Sequence, residues 1–326
     1  MKEEKILLID GNSYIHRAFH ALPPLTDAAG RPVNAIYGFL RMLKKLITDE
    51  EPSHIFVAFD HKSPTFRHRD FAGYKAHRPE TDKDLSEQFE RLFSVLDALN
   101  IKHADYEGYE ADDIIGSFTQ ASSDSAIKTI IVTGDKDILQ LLREDVIILN
   151  GMTDKVYTAT NLSDLFGVDP EYVTDYLALV GDRSDNLPGV RGVGAVTAKK
   201  LIDEYGGLEN IYDQLTEIGG AVATRLENGR EDAFTTRHLV TLVKDLDLPY
   251  EIEELRWEGP DARALRQEFQ NLNFRKLISD WIPADELQVS LKREIILTEA
   301  ELSSFLSRYD GGGFVIEICF LKDDSV

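Results

Sequence analysis

The sequence contains a single cysteine, Cys319, which excludes an internal disulfide framework. Scarce cysteine is typical of proteins from a reducing compartment. No stretch approaches the about 20 consecutive apolar residues that a membrane-spanning helix needs. The N-terminal Met-Lys-Glu-Glu-Lys also lacks the features of a signal peptide. These absences predict a cytoplasmic protein with no membrane contact.

Basic residues are also in short supply, with 36 Lys and Arg against 58 Asp and Glu and a formal net charge of -22. Proteins that bind polyanions usually present a basic face, so the total charge argues against nucleic acid as a ligand. The net charge is a poor guide if many of the acids surround divalent cations, because bound cations offset part of the negative charge. The basic residues would then be concentrated in local stripes.

Continuous apolar runs at 5–9, 55–59, 129–133 and 146–149 have the character of buried parallel strands. Apolar residues at helical spacing predict helices at about 34–48 and 84–99, and a short strand is expected at 101–104. Strands that alternate with helices in this way predict βαβ units and a parallel, three-layer α/β sheet.

Three of these strands are followed by aspartate, namely Asp10, Asp60 and Asp135. Ligands of open parallel sheets bind outside the carboxyl ends of the strands, so these side chains are expected at one edge. Each aspartate, taken alone, is equally well explained as the cap of a following helix. Three of them together are harder to explain as caps.

Further carboxylates stand at Glu110, Asp112 and Asp113, just before an apolar helical stretch, and at Asp137. Acids in the first turn of a helix are common, which is the alternative interpretation of the first three. Gathered without a counter-charge, so many carboxylates would repel one another and raise one another's pKa. Oxygen ligands without cysteine or histidine favour Mg²⁺ or Mn²⁺ over zinc.

The segment from His61 to Glu80 has five Lys or Arg residues against two acids, with three aromatic residues interleaved. This composition is expected of a segment that meets phosphates and stacks on bases, although a solvated loop explains it as well. Arg17, on a predicted helix after the first strand, is expected on the same side of the sheet.

Beyond about residue 160 the pattern becomes helical and continues so to about 281. Asp182 and Asp185 precede a glycine-rich turn at 189–194, which opens a predicted helix at 195–205. Such a turn lets a phosphate backbone approach the amides of the helix start, but it is as often only a tight connection between helices. The residues expected to contact DNA here are Gly189, Arg191, Gly192, Gly194, Lys199 and Lys200.

Together these motifs resemble the 5′-nuclease (5′→3′ exonuclease) domain of bacterial DNA polymerase I, a relative of the flap endonucleases. The resemblance runs from about 5 to about 285. Its motifs are Asp10-Gly11-Asn12, Phe59-Asp60, Phe66-Arg67-His68, Tyr74-Lys75 with Arg78, Gly108-Tyr109-Glu110-Ala111-Asp112-Asp113, Thr133-Gly134-Asp135-Lys136-Asp137 and Gly181-Asp182-Arg183-Ser184-Asp185.

The resemblance implies a PIN-like α/β fold, with a mostly parallel central sheet flanked by helices and a C-terminal helical region of helix–three-turn–helix type. It implies a structure-specific 5′ nuclease that hydrolyses DNA or RNA-primer phosphodiester bonds by two-metal-ion catalysis in replication and repair. Its partners would be branched or flap DNA, nicked duplex and RNA primers. The chain would be a monomer, with polymerase domains fused to it in the natural protein.

The resemblance also implies roles for particular residues. Asp10, Asp60, Glu110 and Asp112 would hold a first Mg²⁺ with Asp113 close by, and Asp135, Asp137 and Asp185 a second with Asp182 alongside. Mn²⁺ is a possible substitute. Lys75 and Arg78 would contact the scissile phosphate, Arg17 and Arg67 further phosphates, and Tyr74 would stack near the cleavage site. The helical turn would hold a K⁺ ion.

The expected organisation has three parts. A catalytic α/β domain spans 1–175 and carries an arch at about 62–90, and a helical DNA-binding region spans 176–285. Residues 286–326 would be a linker and the start of a proofreading-like domain. That domain would lack proofreading activity, because Val315-Ile316-Glu317 stands where the family has an Asp-x-Glu metal pair.

Two other functions compete with the nuclease. One is a catalytically inactive module that only binds branched DNA, although an inactive module has no reason to keep repelling carboxylates. The other is a small-molecule phosphatase with an aspartate nucleophile at a strand end. That chemistry commonly places a second aspartate two residues after the first, whereas Asp10 is followed by Gly11 and Asn12.

Overall fold

A computed structural model of the chain describes residues 3–125, 127–151, 153, 155–283, 298 and 301. Residues 1–283 form one compact unit, in which the predicted catalytic and helical regions pack together. The boundary near 175 stays a prediction. Apart from residues 298 and 301, the predicted tail, including Val315-Ile316-Glu317, lies outside the described residues.

The core of the unit is a six-stranded sheet in the order β3-β2-β1-β4-β5-β6. Its strands are β1 (Lys5–Asp10), β2 (His54–Ala58), β3 (Lys102–Ala104), β4 (Lys128–Val132), β5 (Val146–Asn150) and β6 (Lys155–Tyr157). The first five are parallel, and β6 pairs antiparallel with β5. The predicted mostly parallel α/β sheet is therefore confirmed. The short, largely exposed β6 has no apolar run and was not predicted.

The strand order indicates which edge of the sheet is expected to bind ligands. β2 lies on one side of β1 and β4 on the other, so the direction of winding reverses between β1 and β4. A crevice opens at such a switch point, outside the carboxyl ends of the strands. Asp10 ends β1, and Asp135 follows β4 by three residues, so both stand at this crevice.

Helices cover both faces of the sheet and build the C-terminal region. They are α1 (Gly11–Ala21), α2 (Asn34–Glu50), α3 (Phe66–Asp70), α4 (Lys83–Ala98), α5 (Ala111–Ala121), α6 (Leu162–Leu165), α7 (Val173–Val180), α8 (Ala195–Tyr205), α9 (Leu208–Asp213), α10 (Leu215–Ile218), α11 (Gly220–Asn228), α12 (Arg230–Val240), α13 (Ala262–Asn271) and α14 (Arg275–Trp281). Short 3₁₀ turns occupy Ser122–Asp124, Asp137–Leu141, Pro170–Tyr172 and Ile252–Leu255.

The predicted helices at 34–48 and 84–99 correspond to α2 and α4, with ends that differ by one or two residues. Both are amphipathic and bury one apolar face, α2 through Ile36, Phe39, Leu40 and Leu43. Within the segment predicted as an arch, at about 62–90, residues from Lys83 onward belong to α4, whose buried face packs against α2 and α13.

The helical region begins with α7, which is joined to α8 by the glycine-rich connection 181–194. This connection folds back tightly on the end of α7. A Cβ on Gly189 would lie 2.4 Å from the Gly181 nitrogen, and Gly181 has a φ of +78°. Both positions therefore require glycine. None of the helices in the described part of the chain is long and apolar enough to cross a membrane.

Candidate metal centre

The predicted carboxylates converge at the crevice between β1 and β4. Asp60 lies two residues beyond β2, Asp112 is in the first turn of α5, and Asp137 begins a 3₁₀ turn after β4. Asp10 is repelled by Asp60 and Asp135, and Asp135 is also repelled by Asp185 and Asp182. Residues up to 175 positions apart in the sequence thus share one electrostatic environment.

The strand-end aspartates act partly as caps, as the alternative interpretation proposed. Asp10 Oδ1 accepts a hydrogen bond from the Ser13 amide at 2.9 Å and so caps α1. Asp60 Oδ1 accepts from the Ala111 amide, the first of α5, at 2.9 Å. Each such bond engages one carboxylate oxygen. Capping and a role in the cluster are therefore compatible in the same side chain.

Asp137, Asp182 and Asp185 form the tightest group in the described part of the chain. One carboxylate oxygen from each lies within 4.8 Å of those from the other two. All three side chains are buried. Asp182 and Asp185 reach this position because the turn after α7 is closed by paired backbone bonds between Asp182 and Leu187, at 3.1 and 2.7 Å.

Burial raises the pKa of several members of the cluster. Burial, with repulsion from Asp60, raises the pKa of Asp10 to about 7. Burial and then repulsion from Asp135 raise the pKa of Asp112 and Asp137 well above the ordinary range. Carboxylates that resist ionisation in this way need positive charge before they ionise together at neutral pH.

Three cationic side chains border the cluster and supply part of that charge. Lys75 Nζ donates to Glu110 Oε1 at 2.8 Å, Arg78 Nη2 to Asp185 Oδ1 at 2.6 Å, and Lys136 Nζ lies 2.9 Å from Asp182 Oδ1. Burial opposes the ionisation of Glu110, but Lys75 and Arg67 outweigh it and lower its pKa.

Lys75 is held in place by its backbone as well as by its charge. Its φ is +53°, a left-handed conformation that is uncommon for residues other than glycine. Its amide donates to the Asp185 carbonyl at 2.9 Å. Conformations of this kind cluster at functional sites, where the surrounding structure enforces them. The side chain is 14% exposed, and its ammonium group is turned inward, toward Glu110 and Asp185.

Arg67 and Asp113 occupy positions that differ from those predicted. Arg67 was expected to contact phosphate and Asp113 to lie beside the first metal. Instead, the guanidinium donates to both Asp113 oxygens, at 2.6 and 2.8 Å, and both residues are buried. A carboxylate engaged by a buried guanidinium fork is not available to a metal, and a buried guanidinium is not available to phosphate.

Tyr74 also differs from its predicted role. Its hydroxyl donates to Glu110 Oε2 at 2.9 Å and to Asp185 Oδ2 at 3.1 Å, and the residue is only 4% exposed. Its ring packs edge-on against His68. A ring enclosed in this way cannot stack on a base. Tyr74 takes this position because its buried hydroxyl needs hydrogen-bond partners, and the two carboxylates provide them.

The remaining predicted residues lie around the cluster. The half-buried Arg17 lies beside Tyr14 and Gly151. Gly194 caps α8 and has open space around its α-carbon, while the Gly192 carbonyl accepts from Arg225 Nη1 at 3.2 Å. Arg191, Lys199 and Lys200 are exposed. A cleft of about 480 Å³, lined in part by Lys136, Asp182, Arg183 and Gly194, lies between the cluster and the start of α8.

Three polar residues of the site were missed. Thr133 Oγ1 donates to Asp10 Oδ2 at 2.8 Å, Lys136 pairs with Asp182, and Ser184 Oγ donates to Asp182 Oδ1 at 2.5 Å. Each lies inside a motif that the sequence analysis quoted. The only signal for these three residues was therefore their position close to predicted metal ligands, because residue type alone did not indicate a role.

The side chains present fit bound divalent cations. Asp112 Oδ1 and Asp137 Oδ1 are buried and have no hydrogen-bond partner among the described residues. Buried polar atoms are nearly always satisfied, so orphaned carboxylate oxygens call for an absent ligand. Among the nine predicted carboxylates, only Glu110, Asp113, Asp182 and Asp185 are paired with cationic side chains in the described part of the chain, namely Lys75, Arg67, Lys136 and Arg78. The unpaired carboxylate oxygens suit divalent cations, which bind through oxygen.

The raised pKa values predict that the metal-free protein is less stable at high pH. Asp10 titrates at about 7 in the folded chain, against an ordinary value of 3.8. Between these values the folded state keeps a proton that the unfolded state has lost, so the free energy of unfolding falls as pH rises. Asp112 and Asp137 act in the same direction. The lowered pKa values of Glu110 and Asp182 matter only at more acidic pH.

Thermal unfolding in the presence of chelator tests this prediction. We expect a lower melting temperature at about pH 8 than at about pH 5, and saturating Mg²⁺ should restore it at the higher pH. A melting temperature that stays level or rises over this range in chelator would contradict the raised pKa values.

Comparison with known proteins decides the family. The family model described as "5'-3' exonuclease, N-terminal resolvase-like domain" matches residues 5–167, and "5'-3' exonuclease, C-terminal SAM fold" matches residues 168–263. The chain belongs to the 5′-3′ exonuclease family. The predicted family is thereby confirmed, together with the PIN-like α/β fold and its C-terminal helical region.

The relatives of this chain fall into two size classes. A 5′-3′ exonuclease of Aquifex aeolicus is 38% identical over 275 residues, covering 84% of this chain and 94% of the relative. DNA polymerase I of Caldicellulosiruptor bescii is 39% identical over 84% of this chain. The chain spans only about a third of that relative's length, 33%.

Solved structures show the same fold at lower identity. The zinc-bound T5 5′-exonuclease has a TM-score of 0.61 and 23% identity, with 83% of this chain and 99% of that chain covered. The catalytic core of Rad2 in complex with DNA substrate has a TM-score of 0.60 and 19% identity, over 86% of this chain and 92% of that one.

Proposed function

We propose that this chain is a divalent-metal-dependent 5′ nuclease, acting as a 5′→3′ exonuclease and flap endonuclease on DNA. The observation that carries the proposal is the buried carboxylate cluster, with two orphaned oxygens on Asp112 and Asp137, bordered by Lys75 and Arg78. Such a cluster is costly to maintain unless it binds cations. The inactive binding module is therefore the weaker candidate.

The residues proposed to hold the cations follow from their positions. Asp10, Asp60, Glu110 and Asp112 would form one side of the site, and Asp135, Asp137, Asp182 and Asp185 the other. When bound, divalent cations stabilise the charge that develops on a phosphodiester during hydrolysis. Mg²⁺ is our choice because all donors are carboxylate oxygens, and Mn²⁺ accepts the same donors.

Lys75 and Arg78 have a distinct part in the proposal. In the metal-free chain they neutralise Glu110 and Asp185. The Arg78 side chain is 47% exposed beside Asp185, so it is open to a phosphate at the edge of the cluster. Once cations neutralise the carboxylates, both side chains would be released to bind and orient the scissile phosphate. Positioned cations of this kind stabilise negative charge in the transition state.

The duplex is proposed to lie along the start of α8. Gly194 precedes the helix, and the free amides of its first turn favour an anion there. Lys199 and Lys200 are exposed one turn further along. Val196 is 86% exposed beside them, so the helix start is open to a large ligand. The cleft that leads from Gly194 to Asp182 would connect this surface with the metal centre.

The salt dependence of DNA binding tests the α8 surface. Replacing both Lys199 and Lys200 with Ala should weaken duplex binding and reduce the slope of log K against log salt by about one per lost phosphate contact. Fluorescence anisotropy across a salt series measures this slope. Lys155→Ala, an exposed residue on β6, is the control and should leave the slope unchanged. An equal slope in both variants would show that α8 does not contact the DNA backbone.

The biological setting is proposed from the family. The relative named 5′-3′ exonuclease supports a 5′-directed activity, and a neighbouring T5 flap endonuclease was solved with DNA and metal ions. We propose flaps, nicked duplexes and RNA primers as substrates, in replication and repair. The cytoplasmic location, the monomeric state, the K⁺ ion at the helical turn and a fusion to polymerase domains stay predictions.

Product mapping tests the proposed specificity. A duplex with a 5′ flap, labelled at the 5′ end, is incubated with Mg²⁺ and the products are sized. We expect a cut near the junction on the flap duplex and short 5′ products on a nicked duplex. Tight flap binding with no cleavage under any divalent cation would establish the binding module instead.

A further inference from the structure

The buried pair of Arg67 and Asp113 has no part in the function proposed above. Arg67 is 2% exposed and Asp113 0%. All three guanidinium nitrogens are engaged, two with Asp113 and the Nε with the Leu239 carbonyl at 2.7 Å. A buried ion pair is weak evidence for a role in stability, because replacing it with a well-packed apolar pair is often neutral or stabilising. This pair therefore needs another explanation.

One side of the pair leads to the metal centre. Asp113 Oδ2 accepts from the Glu110 amide at 3.1 Å, and the Glu110 side chain accepts in return from the Asp113 backbone, which closes a capping box at the start of α5. Arg67 Nη1 also lies 3.7 Å from Glu110 Oε2. The backbone and the carboxylate of Glu110 are thus both oriented from the Arg67 side.

The other side of the pair leads to the helical region. Asp113 Oδ1 accepts from the Val243 amide at 3.0 Å, and Leu239, which binds Arg67, is in the last turn of α12. Further up the same helix, Thr236 Oγ1 donates to the carbonyl of Pro188, inside the glycine-rich connection, at 2.5 Å. A single pair thus joins α3, the start of α5 and the segment that follows α12.

We infer that Arg67 and Asp113 are positioning residues that hold Glu110 in place for metal binding and fasten the end of α12 to the first turn of α5. The inference rests on the proposed function, because it takes Glu110 as a metal ligand. The forked contact fixes direction as well as charge, which a lysine ammonium does not do. Neighbours of metal ligands commonly act in this way.

Metal affinity without DNA distinguishes this role from a phosphate contact. Mn²⁺ is titrated calorimetrically into the unchanged chain, Arg67→Met and Arg69→Met, at a temperature at which all three are folded. We expect about tenfold weaker Mn²⁺ binding for Arg67→Met. Arg69 is exposed on the same helix, so Arg69→Met should bind Mn²⁺ normally. A phosphate contact would leave Mn²⁺ affinity unchanged and weaken only DNA binding, which would overturn the inference.

A double-mutant cycle with Glu110→Gln separates positioning from general loss of structure. If Arg67 acts through Glu110, then Arg67→Met should cost little further Mn²⁺ affinity in the Glu110→Gln background. Additive losses would mean that Arg67 acts independently of Glu110 and would overturn the inference. Should Arg67→Met fail to fold, Arg67→Lys keeps the charge and loses the fork, and it enters the same cycle.

Failure of this inference is distinguishable from failure of the proposed function. Flap cleavage by the unchanged chain is measured in the same preparation. Cleavage with normal Mn²⁺ affinity in Arg67→Met would overturn positioning and leave the nuclease intact. Unchanged Mn²⁺ affinity in Glu110→Gln would remove Glu110 from the ligands, and the positioning role would fall with it.

Discussion

Replacing Asp137 with Asn is expected to slow cleavage strongly and, in the absence of metal, to make the protein more stable. Asp137 is buried, one of its oxygens has no partner among the described residues, and burial raises its pKa well above the ordinary range. Asparagine keeps the shape without the charge. Loss of a cation contribution of about 4 kcal/mol corresponds to about a thousandfold slower cleavage.

The expected gain in stability is tested separately, by thermal unfolding. In chelator at about pH 8, Asp137→Asn should melt about 3 °C or more above the unchanged chain, because it removes a charge that is repelled by its neighbours. The difference should shrink as the pH falls, because the raised pKa of Asp137 favours its neutral form at lower pH. Asp164→Asn, on the exposed face of α6, is the control and should change neither cleavage nor melting. A lower melting temperature for Asp137→Asn would contradict the account.

Replacing Lys75 with Met is expected to slow cleavage by about a hundredfold to a thousandfold, as the loss of one positioned charge commonly does. Lys75 contacts Glu110 through its ammonium group and Asp185 through its amide. Methionine keeps the length of the side chain and the backbone bond. Single-turnover cleavage of a flap duplex is the measurement, because it isolates the chemical step from product release.

Two further measurements define the role of Lys75. Mn²⁺ affinity should not fall in Lys75→Met, because the ammonium group competes with the cation for Glu110. Lys83→Met, exposed at the start of α4, is the matched control for loss of one positive charge and should cleave normally. Normal cleavage by Lys75→Met would show that Lys75 serves only as a counter-ion.

The strand-end aspartates show how much of the site was accessible from the sequence. Asp10, Asp60 and Asp135 each follow an apolar run, and a parallel sheet brings the ends of its strands to one edge. Their convergence therefore follows from local pattern and topology. The start of α5 and the glycine-rich connection before α8 were predicted from other local patterns, namely acids before an apolar helical stretch and closely spaced glycines before a helix.

The pairing of charges within the site was not accessible in the same way. Arg67 and Asp113 are 46 residues apart, and the residues they also bind, Leu239 and Val243, lie more than a hundred residues further on. The pattern of apolar residues in the sequence does not specify which Arg or Lys side chain faces a ligand and which pairs with a buried carboxylate. Tyr74 is a similar case, because its ring is hidden by a fold-dependent contact with Glu110 and Asp185.

The most direct test of the central claim is cleavage of a 5′-labelled flap duplex by the unchanged chain, with Mg²⁺ in one reaction and chelator in the other, beside Asp135→Asn. The account predicts release of short 5′ products with Mg²⁺ alone, and none from the variant under any condition. Release in chelator, or equal release by Asp135→Asn, would contradict the claim that these carboxylates hold the metal ions on which hydrolysis depends.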